Sequence, residues 1–417
     1  MNGSPGGRVD VLVVGAGPAG LVTARRVALA GHRVVVVDAD HADRRTPGDI
    51  VVPPTTVRQV VDEGLGAILD QAHPIRQVRF SCGARTTAVG WPSVDGPSEA
   101  ASVVPRHRLE QVLTDAARDA GVEVRFVHEA TEPIVERGFV RGALVTDHRG
   151  TRHELRADYL VVADGANSRF GRTLGSARDP RVPFAVAHRC SHRAPIHAAT
   201  ELEIVVGLAD QADTPVTGYG WMLPTGQGHV DIGVLLLSTS PSFQVLNPLH
   251  VLDQFVTDHA DRWHLDGDRP EPPTGGRIPL GRSVGPAAGP TWLLVGDAVA
   301  AADPWSGLGL GPAITTGTIA GEVLVEALGT GSSAALQRYP SRLAASFEPR
   351  YRVGRLADRI LGRPAASVTL AATVSRHSDA AETALRLATG ALRLDRLGPA
   401  EMILRAGRAV SAVLPRF

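Results

Sequence analysis

The sequence predicts an α/β protein: a parallel, doubly wound sheet assembled from discontinuous segments, an antiparallel β-sheet set between them, and a helical C-terminal region. Three observations predict it. Residues 9–38 run from an apolar stretch of strand length through a glycine-rich turn and an Ala-rich helical pattern to a second apolar stretch. Residues 182–275 hold short alternating segments (LEIVVG, GYGWMLP, HVDIGVLLL) of the kind that build an antiparallel sheet. From residue 331 onward the pattern is helical.

Composition narrows the function. The 417 residues allow two or three domains and a large core. Acids and bases balance at 43 each, so no net positive field meets a nucleic-acid backbone. All 43 bases are Arg, which rules out any mechanism that needs a Lys amine. Cys82 and Cys190 stand far apart, without metal-ligand or disulfide spacing. The start, MNGSPGGR, lacks a secretory pattern, and no apolar run approaches the about 20 residues that span a bilayer. These features predict a soluble, cytoplasmic protein with no metal and no nucleic-acid partner, and they leave its oligomeric state open.

The first unit is VDVLVVGAGPAGLVTARRVALAGHRVVVVDAD. Gly15, Gly17 and Gly20 give G-x-G-x-x-G between an apolar strand and a helix, with Asp38 closing the second strand. Gly15 serves the tight turn, Gly17 the approach of a pyrophosphate, and Gly20 the contact of helix with strand. The helix N-terminus, with Pro18 and Ala19 in its first turn, offers N–H donors and positive potential to phosphates. Asp38, followed by Ala39, suits a ribose with a free 2′-OH, hence FAD or NAD rather than NADP.

Two more segments decide between these. YLVVADGANSRFGRTLG (159–175) is an apolar strand followed by Asp164-Gly165, and GDAVAAADPWSGLGLGP (296–312) follows the strand TWLLV. With GAGPAG they resemble the three FAD fingerprints of the aromatic-hydroxylase-type flavoproteins. That superfamily includes single-component monooxygenases, flavin halogenases, squalene-epoxidase-like enzymes and geranylgeranyl reductases. The resemblance covers roughly residues 9–330 and implies FAD as cofactor in a Rossmann-like domain. It implies that Asp297, after Gly296, binds the ribityl chain, and that the segment Pro304 to Gly311, with Gly307 and Gly309, runs under the flavin ring. Glycines there keep Cβ atoms clear of a flat ring. A helix starting near Pro312 would aim about half a positive charge at it. The stretch 105–126 reads as a helix followed by a strand, and the resemblance also brings Arg106, at the head of that helix, toward the cofactor. Arg45, Gly48 and Asp49 come from a loop (44–66) that resembles the flavin-contacting C-G-D-G loop of the reductases. Pro47 stands there where that family has a cysteine.

The chain is thereby divided into an FAD-binding domain (1–75, 100–180 and 276–330), a substrate-binding β-sheet domain (76–99 and 182–275) and C-terminal helices (331–417), the last read as packing against the flavin domain. No second glycine fingerprint follows a strand, so NADPH or NADH would act as a transient reductant. GRSVG (281–285) mimics an esterase motif but precedes a strand, which makes Ser283 a loop serine.

Three chemistries remain. A monooxygenase acting on an alkene or electron-rich carbon needs mainly a water-poor pocket, and the apolar candidates Phe80, Trp91, Phe184, Tyr219, Trp221 and Trp305 predict a hydrophobic substrate of polyketide or isoprenoid type. A double-bond reductase would take its proton from Asp49, Tyr219 or water. GYGWMLP resembles the reductases' Y-x-W-x-F-P motif, which supports this second reading. A non-redox cyclase that folds a reactive polyene is the third. The halogenase reading fails, because its essential Lys has no counterpart. The sequence favours the monooxygenase, with catalytic candidates Asp49, Tyr219, Trp221 and Trp305.

Overall fold

The computed structural model describes residues 8–42, 48–93, 99–210, 214–267 and 272–391. Arg45, Pro47 and residues 392–417 lie outside the described residues. The parallel sheet has the order 123–126, 34–38, 9–14 and 152–162, with the short strand Trp292–Leu294 paired to the far end of 152–162. Val11–Val14 and Val34–Val37 are almost fully buried, because helices cover the sheet and leave no face for water. The first half of the long strand Arg152–Val162 turns antiparallel partner to 139–146, which continues into 129–136.

Helices Pro18–Leu29 and Leu310–Thr330 cross closely. Small residues make this crossing. A Cβ on Gly317 would sit 2.7 Å from Ala19 O, and Thr23 Oγ1 donates to Gly317 O at 3.2 Å. The helix that follows the first fingerprint is thus locked to the one that follows the third.

The second sheet orders its strands 274–279, 184–193, 229–237, 218–224, 201–206, 77–82 and 85–90. All neighbours are antiparallel except 201–206 with 77–82, which are parallel. The boundary drawn at residue 276 falls inside the strand Thr274–Pro279, which pairs with Phe184–Arg189. Among the elements that went unread in the sequence are the helix Pro54–Asp62, within the stretch taken as a loop, and the helix Pro248–His259, which packs Val251, Leu252 and Phe255 onto this sheet. Gly220 accommodates the Phe255 ring, since a Cβ there would lie 2.4 Å from it. Alternation then sends Tyr219 and Trp221 to the opposite face.

After residue 338 come the helices Tyr339–Leu361, Pro364–Val374 and Ser378–Thr389. Buried Tyr339 and Tyr351 pin the first, donating to Leu294 O (2.7 Å) and Ala301 O (2.5 Å) beside the third fingerprint. The other two do more than pack on the flavin domain. They lie on the 77–90 hairpin and roof the space between the two sheets.

Candidate active site

The strand Val9–Val14 delivers its chain into a cavity of about 610 Å³. Gly15 has φ +109° and lies against the neighbouring strand's end, where a Cβ would meet Ala163 O at 2.2 Å. At Gly20 a Cβ would meet Gly15 O at 2.3 Å, so its role is packing of helix on strand. Gly17 differs: a Cβ there would meet nothing within 4 Å, and its bare side borders the cavity with Pro18 and Ala19. The helix that starts here has neither a side-chain cap nor an acid in its first turn. Its free N–H groups and positive end are therefore left for an anion.

Asp38 stands at the rim of this cavity with Ala39. Its Oδ2 accepts from Ala16 N–H at 2.6 Å and its Oδ1 from Asp40 N–H at 2.9 Å, which fixes the carboxylate's position. Asp164, Gly165, Gly296, Asp297, Gly309 and Arg106 form the remaining walls used here. Burial raises the pKa of Asp297, against the pull of the Arg106 guanidinium. A cavity bordered by an uncapped helix start and by an acid on the second strand fits a dinucleotide.

A second cavity, of about 670 Å³, adjoins the first. Both share Ile50, Arg106, Asp297 and Gly309. Tyr219, Trp221, Trp305, Phe80 and Trp91 line it as expected, and the wall is mostly apolar. Phe184 does not line it: its ring stacks under Arg277, 4.1 Å from the guanidinium carbon, and packs against Phe243. Trp305 anchors the roof by donating from Nε1 to Ala384 O at 3.2 Å, and Ser306 Oγ reaches Ala388 O at 3.1 Å.

One polar cluster at this cavity centres on Asp49, on the strand Asp49–Val52. His229 Nε2 lies 3.0 Å from Asp49 Oδ2. The Asp49 hydrogen bond raises the His229 pKa, outweighing the opposing effect of burial. His229 is partly open to solvent whereas Asp49 is buried. Arg189 donates to Asp49 O (2.9 Å) and pairs with Asp231 Oδ2 (3.2 Å), while Trp221 Nε1 donates to Asp231 Oδ1 (2.9 Å). His229, Arg189 and Asp231 were missed in the sequence; the only signal was H-V-D at i and i+2 on one strand face. Tyr219 is a different kind of residue. Its hydroxyl donates to Ser306 O at 2.5 Å, and burial pushes its pKa far up.

Not every residue assigned to the cofactor borders the first cavity. Gly48, at φ +96°, carries the Arg189 guanidinium against its α-carbon, leaving no room for any side chain. Gly307 borders the second cavity, against Leu235. Gly311 faces Thr56, whose Oγ1 would be 2.7 Å from a Cβ, so it brings the helix start against Pro54–Asp62. Pro304 packs on Gly354 of the helix Tyr339–Leu361. Of the three alternate glycines only Gly309 borders both cavities. That helix begins at Leu310, with Gly309 as an uncapped N-cap. Among the described residues no cluster of His, Cys, Asp and Glu is arranged to hold a metal, and no helix is long and apolar enough to cross a membrane.

The FAD binding domain family model matches residues 8–227, more than half of the chain. The chain belongs to this family. It is an FAD-dependent oxidoreductase, and the flavoprotein's relatives carry reductase names. It is 31% identical over 359 residues to the menaquinone reductase of Mycolicibacterium smegmatis, covering 86% of this chain and 85% of the relative. It is 29% identical over 328 residues to the digeranylgeranylglycerophospholipid reductase of Methanosarcina mazei, covering 78% and 77%. Among solved structures, a geranylgeranyl bacteriochlorophyll reductase-like protein from Thermoplasma acidophilum superposes with a TM-score of 0.78 at 21% identity, covering 96% of this chain and 99% of that one. A flavin-dependent brominase gives 0.74 at 18% identity, with 97% and 99% covered. The last two establish the shared fold.

Proposed function

We propose that the flavoprotein reduces a carbon–carbon double bond in an apolar isoprenoid-type molecule, with NADPH or NADH as transient reductant. When bound, FAD supplies the two-electron redox chemistry; Gly17, the uncapped helix start, Asp38 and Asp297 are the groups that would hold it. The observation that carries the reading is the Asp49–His229 pair at the edge of the apolar cavity. Double-bond reduction needs a proton delivered to carbon in a place that excludes water. His229, open to solvent on one side, takes up a proton, and Asp49 holds its hydrogen-bonded partner position at the cavity wall. Arg189 and Asp231 keep the Asp49 backbone in place. This arrangement supplies a proton source despite the proline at 47. Relatives named for the reduction of menaquinone and of a digeranylgeranyl lipid support the same direction.

Oxygen transfer to the same class of substrate is the second reading, favoured by the largely apolar wall around Trp221, Trp91 and Phe80. The test is rapid mixing under nitrogen of FAD-loaded, chemically reduced protein with geranylgeraniol. Return of the flavin colour in wild type, slowed at least about 100-fold in Asp49→Asn, is expected. A wild-type rate in Asp49→Asn would overturn the proton-source assignment.

A further inference from the structure

Asp358 belongs to the helix Tyr339–Leu361, borders the second cavity and is 1% exposed. Neither carboxyl oxygen has a hydrogen-bond partner among the described residues. Nothing in the roles of Asp49, His229 or the FAD cavity uses it. A buried carboxyl without partners is expensive to keep. Such a group at a ligand cavity has an obvious use, which is to bond the ligand.

Resting on the reading that this cavity takes an apolar substrate, we propose that Asp358 is a recognition site for an uncharged oxygen function on that substrate, a carbonyl or hydroxyl, which it meets as a neutral carboxylic acid. The charges around it favour the neutral form. Arg355, one turn earlier on the same helix, engages Glu348 at 2.8 Å and Gly281 O at 2.9 Å. Asp303, from the loop below, repels a second negative charge and is itself paired with Arg350 at 3.0 Å. Arg277, which also borders the cavity, is stacked on Phe184. Burial, with Asp303 adding to it and Arg355 opposing, pushes the Asp358 pKa up to about 8. Below that pH the group donates to a carbonyl; above it the donor is gone. A phosphate monoester, which brings its own negative charge, is disfavoured by the same surroundings.

The experiment titrates FAD-loaded protein with three probes of equal chain length, geranylgeranial, geranylgeraniol and the terminal hydrocarbon, following tryptophan fluorescence from pH 6 to 9.5. At pH 6.5 the aldehyde should bind about tenfold more tightly than the hydrocarbon. That advantage should fade as pH rises through about 8. Asp358→Asn, which keeps an N–H donor and cannot titrate, should hold the advantage at every pH. Asp358→Leu should abolish it while binding the hydrocarbon at least as well; thermal melting and flavin content report whether each variant folds. An aldehyde-to-hydrocarbon ratio that is the same in wild type and Asp358→Leu overturns the Asp358 assignment alone. If none of the probes binds wild type, the substrate reading itself falls, and this inference with it.

Discussion

Nε2 of His229 lies 3.0 Å from Oδ2 of Asp49, joining residues 180 positions apart. His229 starts a strand of the substrate sheet, and Asp49 starts a strand of the small sheet formed by 49–52, 101–105 and 73–75. The pair thus forms only when the two units are docked, and it sits where the cavity meets solvent.

Replacing His229 by Gln should leave FAD content unchanged and slow substrate reduction by about 10²–10⁴-fold. The wild-type rate should fall as pH rises through the His229 pKa, which the Asp49 hydrogen bond lifts above the ordinary histidine value. Steady-state rates from pH 5 to 9 check both points: that limb should vanish in His229→Gln.

The same pair bears on stability. Because the folded pKa of His229 is raised, its contribution is complete below the ordinary histidine pKa of about 6.5 and is lost as pH climbs through the raised folded value. Melting curves of wild type and His229→Gln should therefore differ most near pH 6 and converge in mildly alkaline buffer.

Tyr219→Phe gives a contrasting outcome. The hydroxyl is committed to Ser306 O, and its raised pKa keeps it a poor acid. The variant should lose about 1–3 kcal/mol of stability, since Ser306 O is left without its donor, yet turn over within a few-fold of wild type. A loss comparable to that of His229→Gln would reassign the proton source to Tyr219.

Two glycines of one motif should part company. Gly17→Val places a side chain in open cavity, so the protein should fold with an unchanged melting temperature in its FAD-free form and bind little FAD. Gly20→Val drives a side chain into Gly15 O and Ala163, so the fold itself should fail. Flavin-to-protein ratio and circular dichroism separate the two.

Asp38→Ala should weaken FAD binding by about 10–100-fold, the worth of hydrogen bonds to a charged acceptor. The loss has two sources, since the side chain also orders the Ala16 and Asp40 amides. Equilibrium titration with FAD measures it.

The FAD half of the site was legible in the sequence because its constraints are local. Gly15, Gly17, Gly20 and Asp38 occupy a single strand–turn–helix–strand unit, and their spacing carries the chemistry. The cavity aromatics Tyr219 and Trp221 followed from alternation on one strand. What escaped was set by long-range packing. Nothing near Gly311 in the chain announces Thr56 as its neighbour, nor Gly354 as that of Pro304. Phe184 has the right character for a cavity wall but is held outward by Arg277. Likewise Arg189, Asp231 and His229 become a network only through the register of the strands 184–193 and 229–237 and their meeting with Asp49. The roofing helices carried no motif at all, and the helix Ser378–Thr389 is placed by Trp305 and Ser306, which donate to its backbone carbonyls.

The most direct test of the central claim is the mass of the product formed from geranylgeraniol by reduced, FAD-loaded protein, once under nitrogen and once under ¹⁸O₂. Reduction of a double bond predicts conversion under nitrogen, a product two hydrogen atoms heavier, and no label from the gas. A substrate that stays intact under nitrogen and gains one ¹⁸O atom in the second vessel would contradict it and make the flavoprotein an oxygen-transferring enzyme.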